Sequence, residues 1–283
     1  MSAFYQILHG YWKQSDWFMK LSLLFLLFIL VLAVFAPLLA SHAFDLQNLE
    51  LTFASPSWDH FFGTDALGRD LWSRILYGSR LSLSIAFVTA MSSVCIGLVY
   101  GLIAGYIENT LSRWMMGLVD VLYTLPTLMV SLLVMLLFGR DMKGLLIAMV
   151  ITGWLGTARL VEVQVRSLKR RPFMEATDAL GFKAPRKLLR HILPNCAGPL
   201  LVELSYQIPT NVLSEAFLSF LGVGVRPPNP SWGVLADEGW RTMQYYPHLI
   251  IFPGLIISLT MLSFNFIGDS LRDYLDPHLK GRL

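Results

Sequence analysis

Long stretches without a charged residue constrain this chain more than any other feature of its sequence. Leu21–Leu39 holds nineteen consecutive residues without Asp, Glu, Lys or Arg, and Leu81–Ile107 holds 27. A helix of about 20 apolar residues crosses the roughly 30 Å hydrocarbon core of a bilayer. Inside that core all backbone polar groups must be paired within the protein, which leaves helices and closed barrels as spanning structures. Runs of this length predict helices, and therefore an all-α membrane protein.

Four further apolar runs bring the predicted number of transmembrane helices to six. They are Trp114–Phe138, Leu145–Leu160, Ala197–Leu221 and Leu249–Gly268. Pro126 is expected to break the third span, because proline removes a backbone donor and clashes with the preceding turn. The fourth span is short, and we expect its helix to continue into Arg166. A cleaved signal peptide is the alternative for the first run, but its apolar region would be only about 7–15 residues long.

The composition and the motifs argue against a soluble enzyme. Hydrophobic residues make up 55% of the chain and charged residues 14%. Cys95, Cys196 and the six histidines have neither disulfide nor zinc-site spacing. No Gly-x-x-x-x-Gly-Lys-Ser/Thr loop is present, so no Walker-type phosphate site is expected. We predict no catalytic residue, no metal site, no cofactor bound by this chain and no nucleic-acid partner.

The distribution of basic residues predicts the orientation of the chain. If both termini are cytoplasmic, 15 of the 22 Lys and Arg residues lie on the cytoplasmic side and 7 on the external side. Cytoplasmic loops of membrane proteins carry an excess of Lys and Arg. The bias therefore predicts cytoplasmic termini and a cytoplasmic position for the polar segment Arg171–Asn195.

The segment Arg171–Asn195 has the sequence signals of two short helices joined at a glycine. Pro172 stands at a first helical position, and Gly181 stands where a helix would end in a left-handed residue. Pro185 is expected to begin the second helix and Pro194 to end it.

Two helices this short need a surface to pack on, because isolated helices below about 12 residues are marginal in water. Anionic lipid is one candidate surface, and a soluble partner is the other. The predicted apolar stripe of the second helix consists of Leu188, Leu189, Ile192 and Leu193.

The same segment resembles the EAA cytoplasmic loop of ABC importer permeases. The resemblance rests on Glu175-Ala176-Thr177, then Gly181, then Leu193-Pro194. The family more often has Ala at the position of Thr177, a small change. The resemblance implies a type I importer permease fold (MetI-like) in which this loop forms a coupling helix seated in a groove of the ATPase subunit. The coupling residues it implies are Glu175, Ala176, Asp178, Gly181, Arg186, Arg190, Leu193 and Pro194.

Three further motifs resemble the C-type subunit of dipeptide and oligopeptide (peptide/nickel) permeases. They are Gly-Thr-Asp-Ala-Leu-Gly-Arg-Asp at 63–70 with Ser-Arg-Ile-Leu-Tyr-Gly at 73–78, the run at 218–232 that ends in Pro-Pro-Asn-Pro-Ser-Trp, and the tail at 268–277. The resemblance runs from about Phe61 to the C-terminus. On the residues alone, Thr64 or Asp65 is expected to cap a helix that leads into the second span.

This resemblance implies the partners and the location. It implies a permease subunit of an ATP-driven, binding-protein-dependent importer in the bacterial inner membrane, in contact with lipid. The implied partners are a homologous second permease, two ABC ATPase subunits that use ATP and magnesium, an external substrate-binding protein and a peptide. Nickel or another small solute is the alternative cargo. Asp237, Glu238 and Arg241 in the last external loop would contact the binding protein.

The predicted organisation divides the chain at residue 80. Residues 1–80 would form a cytoplasmic tail, the first transmembrane helix and an external loop. Residues 81–283 would form five transmembrane helices, the coupling loop at 166–195 and a cytoplasmic C-terminal tail. Gly97, Gly101 and Gly105 form a ridge of small residues that lets another helix approach closely, which we expect to lie in the same chain rather than across a dimer.

A transporter driven by an ion gradient is the alternative from a different class. Asp120, Glu203 and Glu215 motivate it, because a charge at the bilayer centre costs about 2.5–3.5 kcal/mol and is often functional. However, each of the three lies near one end of its predicted span, so none is expected at the midplane of the bilayer. This favours the ATP-driven importer. A membrane scaffold without transport would leave the helix–glycine–helix segment unexplained.

Overall fold

The computed structural model describes residues 17–275, and the regular secondary structure in that range is helical. The predicted cytoplasmic tails fall largely on residues 1–16 and 276–283, outside the described residues. The helices are α1 (Trp17–Val34), α2 (Ala36–Leu39), α3 (Leu71–Ile107), α4 (Thr110–Thr124), α5 (Thr127–Phe138), α6 (Met142–Lys169), α7 (Pro172–Ala179), α8 (Ala184–Lys187), α9 (Leu193–Phe220), α10 (Trp232–Thr242) and α11 (His248–Leu275). A 3₁₀ turn at Leu49–Leu51 and a π-helical turn at Leu188–Ile192 accompany them.

Four helices within residues 17–275 are long and apolar enough to cross a membrane, namely α1, α3, α6 and α11. Helices α4 and α5 meet the same test together and give a fifth if they form one span, but they bend by 96° where they meet. The bend lies at Leu125–Pro126, as the sequence predicts for Pro126. Helix α9, where the fifth span is predicted, is not among the four. The number of six spans therefore stays a prediction.

The second span begins ten residues earlier than the predicted Leu81. Helix α3 is continuous from Leu71 to Ile107, so the proposed division at residue 80 falls inside a helix. Its N-cap is Asp70, whose Oδ2 accepts the Ser73 N–H at 2.8 Å, and not the predicted Thr64 or Asp65. Asp65 instead forms ion pairs with two arginines. The predicted start was too late because it counted only charge-free residues, whereas the helix begins before Arg74, which is buried in the fold.

The glycine ridge of α3 lies against α6 of the same chain. A Cβ atom at Gly97 would lie 2.6 Å from the Thr157 Cβ, and one at Gly105 would lie 2.8 Å from the Val165 Cβ. Gly101 lies between them, where a Cβ would be 2.5 Å from the Ala158 carbonyl oxygen. Real Cβ atoms do not approach other atoms so closely, so these glycines set the short distance between α3 and α6.

Buried polar groups join α3 to α9 and to the start of α10. The Ser82 hydroxyl donates to Glu215 Oε2 at 3.0 Å and accepts the Trp232 backbone N–H at 3.1 Å. The Trp232 indole N–H donates to the Ser79 hydroxyl at 3.1 Å. Trp232 and Glu215 are fully buried. Because a buried polar group without a partner is costly, these bonds fix α10 across the ends of the long helices.

Candidate functional site

One face of helix α7 packs against the rest of the molecule, and the opposite face is exposed. Met174 and Thr177 are buried, while Glu175, Ala176 and Asp178 are exposed. Residues three apart share one helix face, which explains the pairing of Met174 with Thr177. Met174 packs in an apolar cluster with α6 and α9, and the Thr177 hydroxyl donates to the Met174 carbonyl at 2.7 Å. The hydroxyl that distinguishes Thr177 from alanine is therefore satisfied within the helix.

Helix α7 ends in a Schellman motif at Gly181. The Phe182 N–H donates to the Thr177 carbonyl at 3.1 Å, and the Gly181 N–H donates to the Asp178 carbonyl at 2.9 Å. Gly181 has a φ of +68°, a left-handed conformation that glycine adopts without a steric penalty. The beginning at Pro172 and the end at Gly181 are therefore as the sequence predicts.

The second helix of the segment begins as predicted but does not end at Pro194. Helix α8 has a proline in its first turn, and the chain continues through the π-helical turn Leu188–Ile192 into α9. In that turn the Leu193 N–H donates to the Leu188 carbonyl, five residues back. Wider turns of this kind accommodate a residue that lacks an N–H. Pro194 therefore lies inside a continuous helix, and the predicted termination there was wrong.

Contacts with charged residues tie α8 to the end of α7. Lys187 forms an ion pair with Asp178. The Arg186 guanidinium lies 4.2 Å from the centre of the Phe182 ring, a cation–π contact. Arg190 and Pro194 are exposed, and Leu193 is partly buried. The predicted apolar stripe is only partly correct, because Ile192 is buried but Leu189 is 66% exposed.

Helix α7 and its surroundings expose apolar as well as charged side chains. Leu180 is 70% exposed, and Phe173 is also exposed. We call this surface the α7 face; it consists of Phe173, Glu175, Ala176, Asp178 and Leu180. An exposed face that combines apolar and acidic groups on a helix held by a buried anchor is suited to contact with another protein.

A polar stripe that was not predicted from the sequence runs along α9. Glu203, Gln207 and Asn211 follow each other at four-residue spacing, which places them on one side of a helix. They line a cavity of about 400 Å³ together with α6 and the bend between α4 and α5. The Gln207 side chain donates to the Gly153 carbonyl at 2.8 Å, and Asn211 donates to the Thr89 hydroxyl at 2.9 Å. The four-residue spacing of these polar side chains in an apolar helix is the sequence signal for this stripe.

The three residues predicted to contact a binding protein lie on α10 and differ in their surroundings. Glu238 pairs with Arg69 at 3.2 Å and also with Arg74, so both of its carboxylate oxygens have partners within the chain. Asp237 pairs with Arg241 at 3.0 Å on the neighbouring side of the helix, and Arg241 is exposed. The contact with a binding protein stays a prediction.

A comparison with known families identifies the chain. Residues 97–281 match the family described as binding-protein-dependent transport system inner membrane component. The chain belongs to this family. The matched range includes the glycine ridge, the polar stripe and the α7 face, and it makes the chain a membrane permease with several apolar helices.

Individual members of this permease family extend the similarity to nearly the whole chain. The chain is 39% identical over 267 residues to the oligopeptide transport system permease protein OppC of Bacillus subtilis, covering 94% of this chain and 88% of the relative. It is 40% identical over 259 residues to the dipeptide transport system permease protein DppC of the same organism, covering 91% and 81%. The glutathione transport system permease protein GsiD of Shigella dysenteriae is 38% identical over 279 residues, covering 96% and 91%.

The fold of this permease also resembles a solved transporter. A chain of the MetNI methionine ABC transporter, in an inward-facing conformation, superposes with a TM-score of 0.57 and 16% identity. The superposition covers 71% of this chain and 96% of the other. The similarity supports the predicted MetI-like architecture.

Proposed function

We propose that this permease is a transmembrane subunit of an ATP-driven, binding-protein-dependent importer of dipeptides or oligopeptides. In this proposal six segments cross the inner membrane: α1, α3, the bent pair α4 and α5, α6, α9 and α11. Both termini and the α7 face are cytoplasmic, as the distribution of Lys and Arg favours. The chain itself binds no nucleotide; partner ATPase subunits hydrolyse ATP with magnesium.

The observation that supports this proposal most directly is the way α7 is held. Its buried anchor, Met174, fixes it to α6 and α9, while the α7 face remains open for a partner. A helix held this way moves as a rigid body with the long helices when an ATPase subunit pulls on it. Two ATPase subunits that close on ATP would then switch this chain and a homologous second permease between inward- and outward-facing states.

The polar stripe of α9 is our candidate for this subunit's share of the transport path. Peptides have backbone donors and acceptors and charged termini, and Glu203, Gln207 and Asn211 offer complementary groups in a cavity. The second permease would close the other side of the path, and a binding protein would deliver the peptide from outside. The relatives named for dipeptide, oligopeptide and glutathione transport support a peptide cargo; nickel or another small solute is the alternative.

Contacts of the acidic residues support the ATP-driven proposal over an ion-gradient mechanism. Asp120 forms an ion pair with Arg159, and Glu215 accepts hydroxyl hydrogen bonds from Ser82 and Ser219 at 3.0 and 2.8 Å. These two carboxylates thus have partners within the chain. A relay for transported protons or sodium would need several carboxylates open to a pathway, whereas of Asp120, Glu203 and Glu215 only Glu203 lines the cavity.

The proposal is tested by purifying the chain in mild detergent from its native membrane. We expect a second permease and a Walker-containing ATPase to accompany it, with vanadate-sensitive ATP hydrolysis. Reconstituted into liposomes with its binding protein, the complex should take up a labelled peptide only when ATP is present on the α7 side. Recovery of the chain alone without hydrolysis, and uptake driven by an imposed ion gradient, would contradict the proposal.

A further inference from the structure

Two histidines and an aspartate that are distant in sequence meet at the beginning of α3. One potential ligand atom from each of His42, His60 and Asp70 lies within 4.8 Å of those of the other two. His60 Nδ1 lies 2.9 Å from Asp70 Oδ1, and the rings of His42 and His60 stack with centroids 4.6 Å apart. We propose that these three residues bind a divalent transition-metal ion of the zinc type.

The burial of the cluster favours a metal ion over three independent polar side chains. The Asp70 side chain is fully buried, and that of His60 is only 12% exposed. His42 Nδ1 is buried and has no hydrogen-bond partner. A buried polar atom without a partner costs free energy. A metal ion bound by His42, His60 and Asp70 together would give the histidine nitrogens a partner and remove this cost.

The surrounding hydrogen bonds position the three residues but leave acceptor atoms free to bind a metal ion. Asp70 Oδ2 accepts the Ser73 N–H at 2.8 Å and the Ser41 hydroxyl at 3.3 Å, which leaves Oδ1 for His60 or a metal. The His42 backbone N–H donates to the Ser73 hydroxyl at 3.2 Å. An ionised carboxylate has about four acceptor positions, so Asp70 is able to cap α3 and bind a cation at the same time.

The donor atoms indicate which ion fits. Two imidazole nitrogens and one carboxylate oxygen suit zinc and neighbouring divalent ions, whereas magnesium and calcium prefer oxygen ligands alone. Three protein ligands leave a fourth tetrahedral position for water. Zinc–nitrogen bonds of about 2.0–2.1 Å require the histidine rings to move inward from their present separation. The bound ion would link the segment that follows α2 to the first turn of α3.

The test measures zinc bound to the full-length protein purified with its subunits by a tag without histidine. After treatment with a chelator and removal of the chelator, zinc is added, unbound zinc is removed by gel filtration, and bound zinc is measured by mass spectrometry. We expect the wild type to hold about one zinc ion per chain more than the variant His42→Ala/His60→Ala. Asp70→Asn retains a capping side chain but replaces the anionic ligand oxygen by a neutral amide, so it should retain less zinc than the wild type after gel filtration. His191→Ala, a histidine far along the chain, is the matched control and should bind as the wild type does.

A second measurement keeps the proposal testable if the double variant does not fold. Cobalt(II) bound to nitrogen and oxygen ligands in a tetrahedral site absorbs visible light, and the wild type should show this absorption after cobalt addition. His42→Gln, which keeps a polar side chain, should lose most of it while eluting as a monodisperse complex. Equal zinc content and equal cobalt absorption in the wild type and the His42 and His60 variants would overturn the proposal.

Discussion

Arg74 in the first turns of α3 forms an ion pair with Glu238 of α10, although 164 residues separate them in the chain. A second bond joins Arg74 Nη2 to Glu238 Oε1 at 3.2 Å. Arg74 also pairs with Asp65, which in turn binds Arg69 at 2.7 Å. Arg74 is only 1% exposed and the Glu238 side chain 33%, so this network fixes the segment before α3 to helix α10 with its arginine side buried.

Replacing Arg74 should therefore destabilise the protein strongly. Removing one partner of a buried ion pair costs about 3–5 kcal/mol when the other charge is left without compensation. Arg69 stays paired with Asp65 and Glu238, so we expect the lower end of that range for Arg74. We expect Arg74→Met to lower the midpoint of thermal unfolding in detergent markedly. Arg241→Met is the matched control: its exposed pair with Asp237, four residues earlier, is worth about 0.3–0.5 kcal/mol. Similar midpoints for the two variants would show that the network contributes little.

Adding a methyl group to the glycine ridge should disturb the packing of α3 on α6. At Gly101 a Cβ would lie 2.5 Å from the Ala158 carbonyl oxygen and 2.7 Å from the Val161 Cβ. Overpacking of this kind costs about 1–3 kcal/mol, so Gly101→Ala should lower the unfolding temperature. Gly117→Ala on α4 is the control, because nothing lies within 4 Å of its added Cβ, and it should be neutral or stabilising. A Gly101→Ala protein as stable as Gly117→Ala would contradict the close approach of the two helices.

A β-branched residue at Gly181 should separate ATP hydrolysis from transport. No atom lies within 4 Å of a Cβ added there, so the penalty comes from the left-handed backbone alone, at about 1–2 kcal/mol. Under the proposed function, Gly181→Val should reorient the end of α7 and reduce peptide uptake per ATP hydrolysed in liposomes. Gly181→Asn should be close to the wild type, because asparagine tolerates this conformation. Normal coupling in Gly181→Val would show that the turn is not needed.

A charge on the α7 face should weaken binding of the ATPase without unfolding the chain. Leu180 is 70% exposed, so Leu180→Asp removes little buried surface from the folded protein. If this leucine contacts an ATPase groove, the substitution buries an unpaired charge in the complex, which is costly. We expect less ATPase to co-purify with Leu180→Asp. The control is Leu46→Asp, a leucine 58% exposed on the predicted external side, which should recover the ATPase as the wild type does.

Local features of the fold follow from the sequence because their causes lie within one or two helical turns. The bend near Pro126, the beginning of α7 at Pro172 and its end at Gly181 are set by the backbone geometry of proline and glycine. The same local reasoning was wrong at Pro194, since the π-helical turn that precedes it depends on how the whole segment packs.

Sites that join distant segments were not predictable from sequence spacing. His42, His60 and Asp70 lie too far apart in the chain to indicate a metal site, and only the folding of the segment before α3 brings them together. The two arginines that pair with Glu238, Arg69 and Arg74, were likewise not predictable, because they precede it by more than 160 residues.

The sequence by itself determined that this protein is a helical membrane protein, because charge-free runs of about 20 residues form spanning helices in a bilayer. It also determined the two helix ends that proline and glycine impose at Pro172 and Gly181. The tertiary structure alone decided which polar groups are buried and with which partners, as with Arg74 and Glu215. Burial of a charge is stable only when other residues supply its hydrogen bonds, and no local pattern specifies those that are distant in the chain, such as Glu238 for Arg74 or Ser82 for Glu215.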